Sequence, residues 1–305
     1  MIAYGEVLEN VDLKKYSTIK IGGIAKYLVK PHNDIELFNL IKELNNRKAK
    51  YYVLGNGSNV LLDDNNFDGV IILLDSLNEI VFHENEVSVG AGVMLPILVN
   101  KTLENGFVSL AFASSIPGTI GGSVVGNAGC FGHELMELVK CVKVMDKNGN
   151  IKILNKDEIS FGYRYTTLKD KYIVLNVTFL LEKGDVERVK EEIKERNLKR
   201  ASTQPLDKPN VGSIFRNPDE GAAGKFIEDL GFKGHQIGGA KVSEKHANFI
   251  VNEDNATFDD VVSLICEIKE KVKEKYNISL VSEVNIIRWN ELWKKKARKR
   301  KKDWE

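Results

Sequence analysis

The chain has 305 residues, 43% of them apolar and 29% charged, with a formal net charge of +1. That balance describes a globular protein of about two domains at roughly 150 residues each, and it excludes a fibre, a disordered tail or a peptide scaffold. Cys130, Cys141 and Cys266 form no metal-ligand or disulfide pattern, the start MIAYGEVLEN has no signal-like character, and no run of 18 uncharged apolar residues occurs, so a reducing, cytoplasmic setting without stable membrane insertion is expected.

The stretch KKKARKRKK at 294–302 carries eight positive charges, and subtracting them from the net +1 leaves −7 on the rest of the chain. An acidic body argues against a nucleic-acid-binding face, which needs Lys and Arg clustered over the fold. No nucleic acid is expected as a partner. The tail, with Trp289, Trp293 and Trp304 around it, reads as a solvated extension. A membrane-surface helix, or an arm docking on nucleic acid or anionic lipid, is the alternative.

Residues 34–44 (DIELFNLIKEL) place Leu37, Phe38, Leu40, Ile41 and Leu44 on one helical stripe, and YYVL from 51 and VIILL from 70 read as short strands. From 86, EVSVGAGV alternates like a strand. A helix is predicted over 95–106, closed by Gly106, and a glycine-dense loop over 114–132. Strand patterns resume at 141–146 and 172–181, joined through the turn signal NGN at 148–150. A charged helix over 185–200 leads into STQPLDKPN at 202–210, the predicted linker. Beyond it lie a helix near 222–230 closed by Gly231, a helix over 258–276 opened by Thr257 and Asp260 in capping-box spacing, and a last strand over 278–287. The pattern is α+β with mixed sheets.

Three constellations carry chemistry. In VLGNGSNVLL (53–62) a strand runs into Gly55-Asn56-Gly57-Ser58-Asn59, whose amides can turn toward one anion; a tight turn and a phosphate cradle both fit. A dinucleotide fingerprint fails there, because Val60 occupies the third glycine position and a turn follows where that motif needs a helix. In SSIPGTIGGSVVGNAGCFG (114–132) six of nineteen residues are glycine, interrupted by Ile116, Ile120, Val124 and Val125. A linker would lack those apolar residues. Buried glycine-rich backbone suits a diphosphate or a flat heteroaromatic ring, with a packed turn cluster as the alternative. Arg164, Ser213 and Glu283 are three separated polar residues that could stabilise an oxyanion, relay a proton and act as a buried acid, though spacing alone does not select them. His32, His83, His133, His235 and His246 have no zinc spacing, and no serine sits in a nucleophile elbow.

Taken in order, YSTIKIGG (16–23), VLGNGSNVLL, the glycine block, FGYRYT, VGSIFRNP, AGKFIEDLGFKG (223–234), IGGAKVSEKHANFIVN (237–252) and LVSEVNII resemble the UDP-N-acetylenolpyruvoylglucosamine reductase family over about residues 16–288. The resemblance implies an FAD-binding PCMH or vanillyl-alcohol-oxidase-type domain over 1–201, made of two α+β subdomains at about 16–75 and 76–201. A C-terminal α+β substrate domain over 202–289 and a basic tail over 290–305 would follow, as in the shorter subclass. Non-covalent FAD would meet Gly55, Asn56, Gly57, Ser58 and Asn59, then Pro117, Gly118, Thr119, Gly121 and Gly122, then Asn127, Ala128 and Gly129. Ser213 matches the family's proton donor, with Arg164 and Glu283 as partners, and Tyr163, Arg216, Asn217, Lys225 and Gln236 match substrate contacts.

The implied reaction uses NADPH to reduce the flavin and then reduces an enolpyruvyl ether of a UDP-sugar to UDP-N-acetylmuramate. Glu283 would be kept protonated by a dry site. Cys130 stands where a small or apolar residue is expected, Ser282 where proline is commoner, and the tail extends past the family's usual end. Another flavin oxidase of the same superfamily, and a scaffold docking through the tail, are the competing readings.

Overall fold

A computed structural model describes residues 3–289, so the basic tail and the expectations placed on it lie outside the described residues. The described residues form two compact units: 3–9, 27–56 and 69–202 in the first, 10–26, 57–68 and 203–289 in the second. The main boundary falls at 202/203, next to the expected 201/202, but the second unit also takes in two earlier segments. Segments 10–26 and 57–68 join the C-terminal residues because Ile19, Ile21 and Leu61 are buried in that core, and because Val60–Leu62 pairs in parallel with Asn285–Ile287.

In the first unit, helix α1 (Asp34–Asn46) starts where Asn33 Oδ1 accepts from the amides of Ile35 and Glu36, satisfying two of the orphan donors of the first turn. Leu37, Leu40, Ile41 and Leu44 are buried as predicted, whereas Phe38 is exposed, lying against Gly149 instead of the core. Tyr51–Leu54 pairs in parallel with Phe67–Leu73, and Ile24–Lys30 and Glu6–Asp12 complete that four-stranded sheet.

A five-stranded antiparallel sheet follows the order Ile151–Asn155, Val139–Asp146, Tyr172–Leu180, Glu86–Gly90, Ile80–His83. The NGN turn leads into Ile151–Asn155, an edge strand absent from the sequence reading. The turn is held by Asp146, whose carboxylate accepts from the backbone amides of Asn148 and Asn150. Helix α2 (Leu95–Glu104) ends before Gly106, whose φ is +83°. Val87, Val89, Val142, Val144, Val177 and Phe179 are fully buried, each contributing about 1.5–3 kcal/mol by leaving water.

The glycine block is not a loop throughout: helix α3 (Ile120–Val125) forms inside it, capped by Thr119 Oγ1, which accepts from Gly122 N. Helix α4 (Val186–Thr203) runs three residues past its predicted end, and its Arg188, Glu192 and Arg196 form an i, i+4 charge series.

In the second unit, a four-stranded antiparallel sheet has the order Asn210–Ser213, Phe249–Asn252, Ala240–Val242, Gln236–Ile237. Helix α5 (Ala223–Asp229) is followed by Gly231 at φ +77°. Helix α6 (Phe258–Tyr276) opens on the Thr257–Asp260 capping box and buries Phe258, Val261, Leu264, Ile265, Ile268 and Val272 along one stripe. The predicted strand at 278–287 is regular only over Asn285–Ile287. Upstream, Ser282 makes a single bridge to Phe215. Trp289 stacks on Phe67 at 4.1 Å between ring centres, and its amide donates to Asp63 Oδ2. Among the described residues, no helix is long and apolar enough to cross a membrane.

Candidate active site

The first glycine turn leaves Tyr51–Leu54 at Gly55 and enters Val60–Leu62 after Asn59. Gly57 has φ +66°, a left-handed conformation in which an added Cβ would collide with Tyr16 O. Among the described residues, no protein acceptor receives the amides of Asn56, Gly57, Ser58 and Asn59. Four consecutive amides without an intramolecular acceptor among the described residues are available to an anion.

Within the first unit, Asn56 Nδ2 donates to Pro117 O at 2.7 Å, joining this turn to the glycine block. The block is docked from behind: Ile120 N donates to Val93 O and Gly121 N to Ala91 O, at 2.8 and 2.9 Å. An added Cβ at Gly121 would stand 3.0 Å from Ala91 Cβ. Gly122 and Gly126 differ, since a Cβ there would meet only Thr119 Oγ1 at 3.4 Å and Gly122 O at 3.6 Å. Backbone fixed on one side and unencumbered at these two glycines suits close approach of a flat ring.

Asn127 spends its side chain on the protein. It is fully buried at φ +44°, and its side chain donates to Glu134 Oε2 and Gly162 O while accepting from Met136 N. That side chain is committed to the protein, and the Asn127 backbone amide donates to Val124 O at 3.1 Å. Gly129–Cys130 pairs with His133–Glu134. Arg164 occupies the turn between Phe161–Gly162 and Tyr165–Thr166 at φ +56°. Its Nη2 donates to Gly129 O at 3.0 Å, and its guanidinium lies 4.9 Å from the Tyr163 ring centre. Thr166 Oγ1 anchors the same turn to Val125 O at 2.7 Å. Arg200 donates to Ser115 O, and burial pulls its guanidinium below the usual arginine range, with Cys130 acting in the opposite direction.

The second unit brings Ser213 and Glu283 onto neighbouring backbone. Ser213 pairs with Phe249, and after it Glu283 N donates to Ile214 O at 2.8 Å and Arg216 N to Val281 O at 3.0 Å. Asn59 Nδ2 donates to Glu283 O at 3.4 Å, and Asn59 O accepts from both Asn285 N and Asn285 Nδ2. Thr18 Oγ1 donates to Asn210 O at 2.6 Å, and Thr18 N to Gly57 O at 3.3 Å. The end of the first glycine turn, the serine strand and the glutamate segment are therefore stitched into one framework. Nothing in the sequence singled out Thr18 for this, although its block entered the family resemblance.

The expected substrate contacts are more dispersed. Asn217 Oδ1 accepts from Ala223 N, opening α5. Lys225 pairs with Asp229, a hydrogen bond that holds its ammonium above the usual lysine range. Gln236 Nε2 donates to Gly238 O at 2.9 Å. Tyr163 is 48% exposed.

The C-terminal domain of UDP-N-acetylenolpyruvoylglucosamine reductase matches residues 204–287, and an FAD binding domain matches residues 25–155. The UDP-N-acetylenolpyruvoylglucosamine reductase of Caldanaerobacter subterraneus subsp. tengcongensis is 43% identical over 284 residues, covering 93% of this chain and 94% of that protein. The protein of the same name from Clostridium botulinum is 39% identical over 288 residues, covering 94% of each. The crystal structure of UDP-N-acetylenolpyruvylglucosamine reductase from Thermus caldophilus superposes with a TM-score of 0.78 at 31% identity, covering 93% of this chain and 98% of the other. With its glycine cradle and its paired serine and glutamate segments in place, the chain belongs to the UDP-N-acetylenolpyruvoylglucosamine reductase family.

Proposed function

We propose that Ser213 is the proton donor, and Arg164 and Glu283 its partners, in the FAD-dependent, NADPH-consuming reduction that this family carries out in peptidoglycan precursor synthesis. The substrate is UDP-N-acetyl-3-O-(1-carboxyvinyl)-glucosamine and the product UDP-N-acetylmuramate, in a cytoplasmic reaction. The residues fit the cofactor: the unpaired amides of Asn56 to Asn59 suit a diphosphate, and the uncluttered glycines Gly122 and Gly126 suit a planar ring.

FAD held by the glycine turn and the glycine block would, once reduced by NADPH, supply hydride chemistry toward the methylene carbon of the enol ether. The charge that builds spreads into the substrate carboxylate, where a fixed guanidinium such as Arg164 offers electrostatic stabilisation without reorganisation. Glu283 serves the same developing charge, and Ser213 transfers its hydroxyl proton to the adjacent carbon, completing the lactyl ether. Tyr163, Arg216, Asn217, Lys225 and Gln236 are assigned to the UDP-sugar. Of these, Asn217 and Gln236 already use one side-chain atom each on local backbone.

The observation that carries this reading is the hydrogen bond from Glu283 N to Ile214 O, which sets the glutamate beside the residue that follows the serine. Stopped-flow spectroscopy of Ser213→Ala tests it. Bleaching of the flavin by NADPH should persist while its reoxidation by the enolpyruvyl substrate slows by about 10²-fold or more. Equal slowing of both half-reactions removes Ser213 from the donor role.

A further inference from the structure

The ladder that carries Ser213 is interrupted. Between the pairs Asn210↔Val251 and Ser213↔Phe249 the register shifts, and after Ser213 the strand ends. The next two residues are held by Asn248, which is 4% exposed. Its Oδ1 accepts from Phe215 N at 2.9 Å and its Nδ2 donates to Phe215 O at 2.8 Å. Its own carbonyl accepts from Ile214 N at 2.9 Å. The same two residues carry the glutamate segment, through Glu283 N to Ile214 O and the bridge from Phe215 to Ser282. Asn248 is fixed in turn by its amide, which donates to His246 Nδ1 at 3.2 Å.

We propose that Asn248 is a positioning residue for proton transfer: its side-chain amide, acting as a one-residue surrogate strand, sets the Ser213 and Glu283 segments in register. The inference rests on the role assigned to Ser213. A primary amide presents an acceptor and a donor side by side, matching the N–H and C=O of one peptide residue, and an apolar side chain of similar size supplies neither. Phe215 is 1% exposed, so water does not replace a lost partner there. The chain needs such a device because residues 214–217 follow no strand of their own, while the serine hydroxyl must hold its place to within a fraction of an ångström. The Asn248 side chain hydrogen-bonds the Phe215 backbone and takes no part in the proton transfer.

The test uses the FAD-loaded enzyme with Asn248→Ala and Asn248→Asp, following both half-reactions by flavin absorbance. In Asn248→Ala, bleaching by NADPH should stay within about twofold of wild type while reoxidation by the enolpyruvyl UDP-sugar falls by about 10²-fold, the scale of a displacement near 1 Å. Asn248→Asp is the sharper variant. An ionised carboxylate accepts from Phe215 N but donates nothing to Phe215 O, whereas the protonated acid does both. The variant-to-wild-type ratio of reoxidation rates should therefore rise as pH falls from about 8 to about 5. Nearby groups are His246 on the Asn248 amide, Lys233 and Glu228 around that imidazole, and Lys269 near the Phe215 ring. All are common to both proteins, so the ratio removes their titration.

Equal slowing of both half-reactions, or a ratio that does not change with pH in Asn248→Asp, overturns the positioning role. Should Asn248→Ala fail to fold, the pH-dependent ratio of Asn248→Asp decides alone. Wild-type reoxidation with unimpaired variants sinks this inference by itself, while a wild-type enzyme that the substrate does not reoxidise sinks the reductase reading and this inference with it.

Discussion

In the first unit, Gly90, Gly92, Gly121 and Gly129 let chain segments touch where any Cβ would meet Leu77 O, Leu74 O, Ala91 Cβ or His133 O. In the second, Asn59, Asn248, Asn252 and Asn285 reach out and hydrogen-bond the backbone of other segments. The division is not exclusive: Asn45, Asn56 and Asn127 bond distant backbone in the first unit, and Gly22, Gly23, Gly57 and Gly239 pack closely in the second. The difference still matches what each unit presents. Close glycine contacts suit backbone that must pack without side chains, and asparagine cross-links suit irregular strands held at fixed spacing.

The contrast can be broken at several points, beginning with the most severe. Gly92→Val places a Cβ against Leu74 O and within 2.8 Å of Asp75 Cα, with no flexible group to yield. A loss of about 3 kcal/mol, read as a lowered denaturant midpoint together with loss of bound flavin, is expected. A tolerated substitution would show that the first unit does not depend on close glycine contacts.

Asn252→Ala removes the donor to Ile19 O and the acceptor of Ala256 N. About 2 kcal/mol should be lost, with flavin binding by the isolated holoenzyme retained at low temperature. Simultaneous loss of flavin would erase the distinction between the units.

The mildest effect concerns pH. Burial pulls the His246 imidazole below the ordinary value of 6.5, with Lys233 adding to the effect. The unfolded chain then binds the proton more readily, so the stability tied to neutral His246 is present above pH 6.5 and is lost as pH falls from there through the folded value. His246→Asn, whose carbonyl oxygen can take the place of Nδ1 for the Asn248 amide, should flatten the decline of the denaturant midpoint between about pH 7 and about pH 5. An unchanged slope would place the titrating group elsewhere.

These two modes of support also explain what could be read from the residues alone. Glycine density is a local signal, and six glycines among apolar residues mark the block at 114–132, where backbone segments pack closely. Helix α6 was legible to the residue because a capping box and a 3.6-residue stripe agree there. The helix α3 was missed, since Gly121 and Gly122 lower helix propensity and its formation depends on docking against Ala91 and Val93. The edge strand Ile151–Asn155 was missed because Ile151 and Ile153 face outward at 43% and 63% exposure and gave no core-facing alternation. The asparagine stitches are illegible in principle. Asn59 and Glu283 lie 224 positions apart, and Asn252 and Ile19 lie 233 apart, so no window of sequence contains both partners.

The order in which the chain visits its two units has a consequence for synthesis. Segments 10–26 and 57–68 emerge from the ribosome early, yet Ile19, Ile21 and Leu61 belong to a core whose other members arrive only after residue 203. Val60–Leu62 must wait for Asn285–Ile287, the last strand made. Two apolar stretches are thus left without their final neighbours for most of translation, a window in which holdase chaperones have something to grip. Excising residues 203–289 as an independent fragment would strip that core of the same pieces, so a truncated product should be recovered as aggregate.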